Sequence, residues 1–82
     1  MDRDELHIKF GKTIHKLRKK QKMTLEELSE LTDIKAHYLV KIENGTAKRL
    51  NAGHIFIFAR AFKIEPYEIF KALWFYDIIA LC

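Results

Sequence analysis

The chain is poor in the residues that staple or break a fold. Its 82 residues include one cysteine, one proline and three glycines. A single cysteine, Cys82, excludes an internal disulfide and fits a reducing compartment. His7, His15, His37 and His54 are scattered, and none stands at a zinc-ligand spacing from a cysteine or an acid, so no metal and no cofactor is expected. Isolated glycines supply no phosphate-cradling loop. No carboxylate pair stands out as acid and base, and Cys82 has no ordered histidine partner, so no enzyme is expected. No apolar run approaches the roughly 20 residues of a membrane span. The start, Met1-Asp2-Arg3-Asp4-Glu5, is charged and no apolar run follows it. That is not a secretory signal, and a cytoplasmic setting is expected.

What the chain does have is apolar residues, 49% of the total. That excludes disorder and suffices for one small core, so residues 1–82 are read as a single domain. Domains of this size often gain stability by oligomerising. The net charge of +4 is modest, yet the signs are segregated. Lys9 to Lys22 carries only basic charge, whereas Glu26 to Asp33 carries only acidic charge. Local basic surface is therefore available despite the small total.

Periodicity gives helices throughout. Leu6, Phe10, Ile14 and Leu17 form an apolar stripe that predicts a first helix over 3–21, with Asp2 as cap. Gly11 falls inside it and costs about 1 kcal/mol against alanine, which points to close packing. Lys19, Lys20 and Lys22 suit either the negative end of that helix or phosphate contact. Ile55, Phe58, Ala59 and Phe62 predict a helix over 52–62 with Asn51 as cap. Glu65-Pro66 opens a last helix, since proline suits the first helical position.

Between these lies the stretch Thr24–Gly45, two short helices with a tight connection. Thr24 with Glu27 is a capping box, followed by Leu28 and Leu31 as an apolar stripe. Thr32-Asp33-Ile34 is a break. A second helix follows over 35–44, with Ile34, Leu39 and Ile42 inward and Gly45 as its stop. Lys35 is a poor cap because it cannot accept a hydrogen bond, so Thr32 or Asp33 is expected to substitute. Outward stand Lys35, Ala36, His37, Val40 and Lys41. A basic, small-residue face on a supported short helix suits a DNA major groove; the plainer reading is a solvated face of a helical hairpin.

The stretch Glu26-Glu27-Leu28, then Ile34, then Tyr38-Leu39-Val40-Lys41-Ile42-Glu43-Asn44-Gly45 resembles the helix-turn-helix of the Cro/C1-type (Xre-like) DNA-binding family. Phe10-Gly11, Ile14 and Leu17-Arg18 upstream, and Ala59-Arg60-Ala61-Phe62-Lys63-Ile64 downstream, extend the likeness over about residues 10–70. The resemblance implies an all-α, five-helix, lambda-repressor-like DNA-binding domain. It also implies that Arg18 pairs with Glu43 to hold the recognition helix, and that Lys48 and Arg49 touch the DNA backbone or minor groove, with phosphate contact the favoured reading. In such docking Lys35, Ala36, His37, Val40 and Lys41 face base edges. Thr24 and Asn44, with the backbone N–H groups at the start of the helix after Thr24, suit phosphate oxygens. Leu25, Lys35 and Val40 depart from the family, which often has Gln, Ser or Thr, and a polar residue there.

The last helix, 66–82, is apolar around most of its cylinder and must be covered on most sides. A homodimer through it is expected, with Ile69, Leu73, Trp74, Tyr76, Ile78 and Leu81 at the interface and Phe56 or Ile57 in support. A two-fold dimer would place its recognition helices about 34 Å apart on an inverted repeat of double-stranded DNA. The expected function is a dimeric, sequence-specific transcriptional regulator, a repressor of prophage, restriction–modification controller or antitoxin type. The alternative is a protein-interaction module that kept the fold but lost specific DNA reading, which Leu25 and Val40 favour. No membrane partner is expected, because a cationic flank is missing.

Overall fold

In the computed structural model, five helices follow one another: α1 (Arg3–Lys20), α2 (Leu25–Thr32), α3 (Ala36–Glu43), α4 (Ala52–Phe62) and α5 (Pro66–Leu81). The structure describes the backbone of residues 3–81 and the side chains of residues 5–73. No strand occurs among the described residues, and no helix among them is long and apolar enough to cross a membrane.

Local signals set the boundaries. Thr24 Oγ1 accepts from Glu27 N at 3.0 Å and Glu27 Oε1 accepts from Thr24 N at 2.9 Å, so the expected capping box opens α2. Asn51 caps α4, its Oδ1 accepting from Gly53 N at 2.8 Å. His54 completes that cap by accepting from Asn51 N through Nδ1 at 3.1 Å. Gly45 ends α3 at φ 81°, where a side chain would also press on Ile8. Asp33 closes α2 in the left-handed region at φ 60°.

The start of α3 differs from expectation. Lys35 is its N-cap and makes no side-chain cap bond, yet neither Thr32 nor Asp33 replaces it. The Thr32 hydroxyl accepts from Ile34 N at 3.2 Å and donates to Leu28 O at 2.8 Å, while Ser29 Oγ donates to Ile34 O at 2.6 Å. Those bonds shape the turn between the two helices and leave none for the cap.

Every helix contributes to one core. Phe10 and Ile14 of α1 meet Leu28 of α2, Leu39 and Ile42 of α3, Phe58 and Phe62 of α4, and Ile69 and Leu73 of α5. Phe10 and Phe58 pack edge to face at 5.7 Å between centroids, and Phe58 stacks on Phe62 at 6.2 Å. Two apolar assignments fail. Leu31 lies one step round from the inward row of Leu25, Leu28 and Thr32 and is 55% exposed. Leu6 is exposed as well, one turn before the buried Phe10.

Ile69 and Leu73 require the larger correction. Both are buried in the chain's own core, Ile69 completely, so they are not available to a partner. Trp74, Tyr76, Ile78 and Leu81 fall outside the described side chains.

Gly11 lets α1 cross α3 at backbone contact. A Cβ there would collide with the carbonyl oxygen of Ile42 and lie 2.9 Å from that of Glu43. Backbone cannot yield as a side-chain tip can. Gly11→Ala should therefore lose about 3 kcal/mol by overpacking, the upper end because the neighbour is backbone, against the roughly 1 kcal/mol of helix propensity it gains. Thermal denaturation followed by circular dichroism should show a lower midpoint; an unchanged or higher one would contradict this packing.

Candidate nucleic-acid interface

The two faces of α3 are sharply unlike. Leu39 and Ile42 are fully buried, whereas Lys35, His37, Val40 and Lys41 are exposed and Ala36 is half-buried. The helical repeat brings Ala36, His37, Val40 and Lys41 onto one surface, because residues four apart share a face. Lys35 stands at its leading end. All five residues expected to face bases are thus together, with no carboxylate among them.

The Arg18 guanidinium of α1 holds this helix at its end. Arg18 Nε donates to Glu43 Oε2 at 2.7 Å and Arg18 Nη2 donates to Glu43 Oε1 at 3.0 Å, a two-pronged ion pair. Both side chains are only 9% exposed. Arg18 Nη1 also donates to Met23 O at 2.9 Å, tying in the turn before α2. The hydrogen bond to Glu43 raises the Arg18 pKa, against the opposing effect of burial. Burial pushes the Glu43 carboxyl up, but hydrogen bonds and charge from Arg18 and His15 outweigh it and hold the group below the ordinary glutamate range.

The loop after α3 is anchored as firmly. Thr46 N and Ala47 N both donate to Lys41 O, at 2.9 and 3.1 Å, and Ala47 is buried in the core. Asn44 Oδ1 accepts from Thr46 N and from Thr46 Oγ1, which turns its amide NH2 outward as a donor. Tyr38 Oη accepts from Arg49 N at 3.2 Å, so α3 itself positions the segment carrying Lys48 and Arg49. Both cations are exposed. Tyr38 was not singled out by sequence, because a loop tie eleven residues away leaves no periodic signal.

Thr24 fares differently. Its hydroxyl oxygen is used by the capping box, and Glu26 and Glu27 stand in the same first turn. Two carboxylates oppose a phosphate at that helix end. Asn44, Lys48 and Arg49 stand away from that helix end, and all three are exposed.

Residues 14–69 match a family model described as helix-turn-helix, more than half of the chain. The chain belongs to the Cro/C1-type helix-turn-helix family. As a member it is a DNA-binding transcriptional regulator. Among solved structures, the restriction-modification controller protein C.AhdI from Aeromonas hydrophila is similar, with 29% sequence identity and a TM-score of 0.70. The match covers 79% of this chain and 96% of that one. No curated protein matches the chain at a significant level. The family and this neighbour are regulators rather than enzymes. In helix-turn-helix proteins generally the first helix supports and the second enters the groove, and α2 and α3 hold those two places in the motif here.

Proposed function

We propose that the protein is a dimeric, sequence-specific repressor acting in the cytoplasm, of the restriction–modification controller kind, that reads an inverted-repeat operator with α3 in the major groove. The observation that carries this reading is the exposed, acid-free face of α3, clamped from behind by the Arg18–Glu43 pair. Likeness to C.AhdI favours a controller over a prophage repressor or an antitoxin. Lys35 and Lys41 suit guanine O6 and N7, and His37 can donate or accept. Val40 is exposed, and a thymine methyl would cover it. Asn44, Lys48 and Arg49 would fix the register through phosphates.

The dimer face is reassigned from α5 to the end of α2 and the outer side of α4. Phe56 is 58% exposed and Ile57 37%, and with Leu31 they line a shallow cavity bordered by Asp33 and Arg60. A two-fold interface meets its own copy, so a patch carrying both signs can pair Asp33 of one protomer with Arg60 of the other.

Binding to a randomised duplex pool at two salt concentrations, with sequencing of the retained DNA, tests the function. Enrichment of one inverted repeat, with affinity falling as salt rises, is expected. Retention without enrichment would reduce the protein to a non-specific phosphate binder. On the enriched duplex, Lys41→Ala should cost about 1–3 kcal/mol and relax preference at one base position. Arg49→Ala should weaken all duplexes alike and lower the salt slope by about one.

A further inference from the structure

Glu43 has a second side-chain partner. His15, one turn before Arg18 on α1, places Nδ1 2.7 Å from Glu43 Oε1. Carboxylate oxygen cannot donate, so a contact this short requires the hydrogen on Nδ1. That hydrogen also decides the second neighbour: Arg18 Nη2 lies 3.4 Å from the same nitrogen and cannot donate to an N–H. The carboxylate thus takes Arg18 Nε on one oxygen, and Arg18 Nη2 and His15 Nδ1 on the other. His15 is 49% exposed, opening on a shallow cavity it shares with Lys12, Lys16 and Glu43.

We infer that His15 is a positioning residue for operator reading: it adds a third hydrogen bond to the Glu43 carboxylate, on the oxygen that Arg18 Nη2 also uses, and so sets the angle at which α3 presents Lys41 and His37. The inference rests on the proposed function. Arg18 alone supplies two parallel bonds in the guanidinium plane, and a donor from a second residue restrains tilting about them beyond what the packing of Leu39 and Ile42 does. His15 is that donor, and Gly11 brings α1 close enough for the short side chain to reach. Glu43 ends α3 two residues beyond Lys41, so a tilt at Glu43 moves the base-reading face directly.

Two variants separate positioning from bulk stability. His15→Asn keeps an N–H donor on the γ carbon, where Nδ1 sits; His15→Leu keeps bulk and has none. Leucine is the better helix former, so propensity works against the predicted order of the two. The probes are the duplex that the wild-type protein enriches from a randomised pool, and poly(dI-dC), which reports phosphate binding alone. His15→Leu is expected to lose about tenfold in affinity for the enriched duplex, the loss of one charge-assisted hydrogen bond, and to bind poly(dI-dC) as the wild type does. His15→Asn is expected to restore most of that discrimination. Equal discrimination by His15→Leu and wild type, or equal losses on both duplexes, would overturn the inference and leave the proposed function standing. A wild type that enriches no sequence would overturn both.

Discussion

Replacing Glu43 with alanine should cost about 3 kcal/mol of stability, the low end of the range for removing one partner of a buried ion pair. The cost arises at Arg18, which stays 9% exposed in its side chain and loses both carboxylate bonds. It retains Met23 O at 2.9 Å, which is why the low end applies. For an 82-residue domain the total stability is on the order of 4–12 kcal/mol, so this one side chain decides much of it. The melting midpoint should fall by on the order of 10–20 °C. Changing both partners to methionine should recover most of the loss, because no charge is then left buried. If Glu43→Ala melts with the wild type, the pair is not holding α3 against α1.

Acid should act on the same pair. The folded-state pKa of Glu43 lies below its ordinary value. Its ionised form therefore contributes stability that is fully present above the unfolded-state pKa, near 4.3. That contribution is lost as pH falls toward and through the folded value. Wild-type stability should drop over that acidic window, and the Glu43→Ala variant should drop less. Parallel acid profiles for the two proteins would count against the assignment.

Much of this arrangement was legible because it is local or chemically paired. Thr24 with Glu27, Asn51, Gly45 and Pro66 mark helix ends through backbone valences that only certain side chains satisfy. Gly11 announced close packing because its cost to a helix needs a reason, and the reason is the α3 backbone. The whole outward row of α3 followed from one inward row, Leu39 and Ile42. What failed to show had no pattern to show it. Helix α5 is apolar around most of its cylinder, so periodicity could not say that Ile69 and Leu73 face inward while Tyr67 and Phe70 face out. Helix α2 is too short for two leucines to define its inner face, and Leu31 was misplaced. His15 and Tyr38 act on partners distant in sequence, through one hydrogen bond each. The acids beside Thr24 were visible, but their conflict with a phosphate became clear only once the capping box fixed Glu27 there.

Phe56→Glu should have the largest effect on operator binding while leaving the fold intact. Phe56 is 58% exposed, so its loss takes little from the core, and glutamate suits an exposed helical position. At a two-fold interface the substitution places two carboxylates against each other and against Leu31 and Ile57, where the desolvation of each is unrepaid. Analytical ultracentrifugation should give a monomer at concentrations where the wild type is a dimer, with an unchanged helical circular dichroism signal. A dimer binds its second half-site as an intramolecular step, a gain of about 10²–10⁴ over one half-site. The monomeric variant should therefore lose about 10²-fold or more on the inverted repeat, and far less on a duplex carrying a single half-site. This contrast is the diagnostic, because α3 and its clamp are untouched. A variant that still sediments as a dimer would move the interface off α4, and the exposed Tyr67 and Phe70 of α5 would then be the residues to charge next. A monomer that binds the inverted repeat undiminished would show that each protomer reads its half-site alone, and the operator would owe its symmetry to something other than the protein.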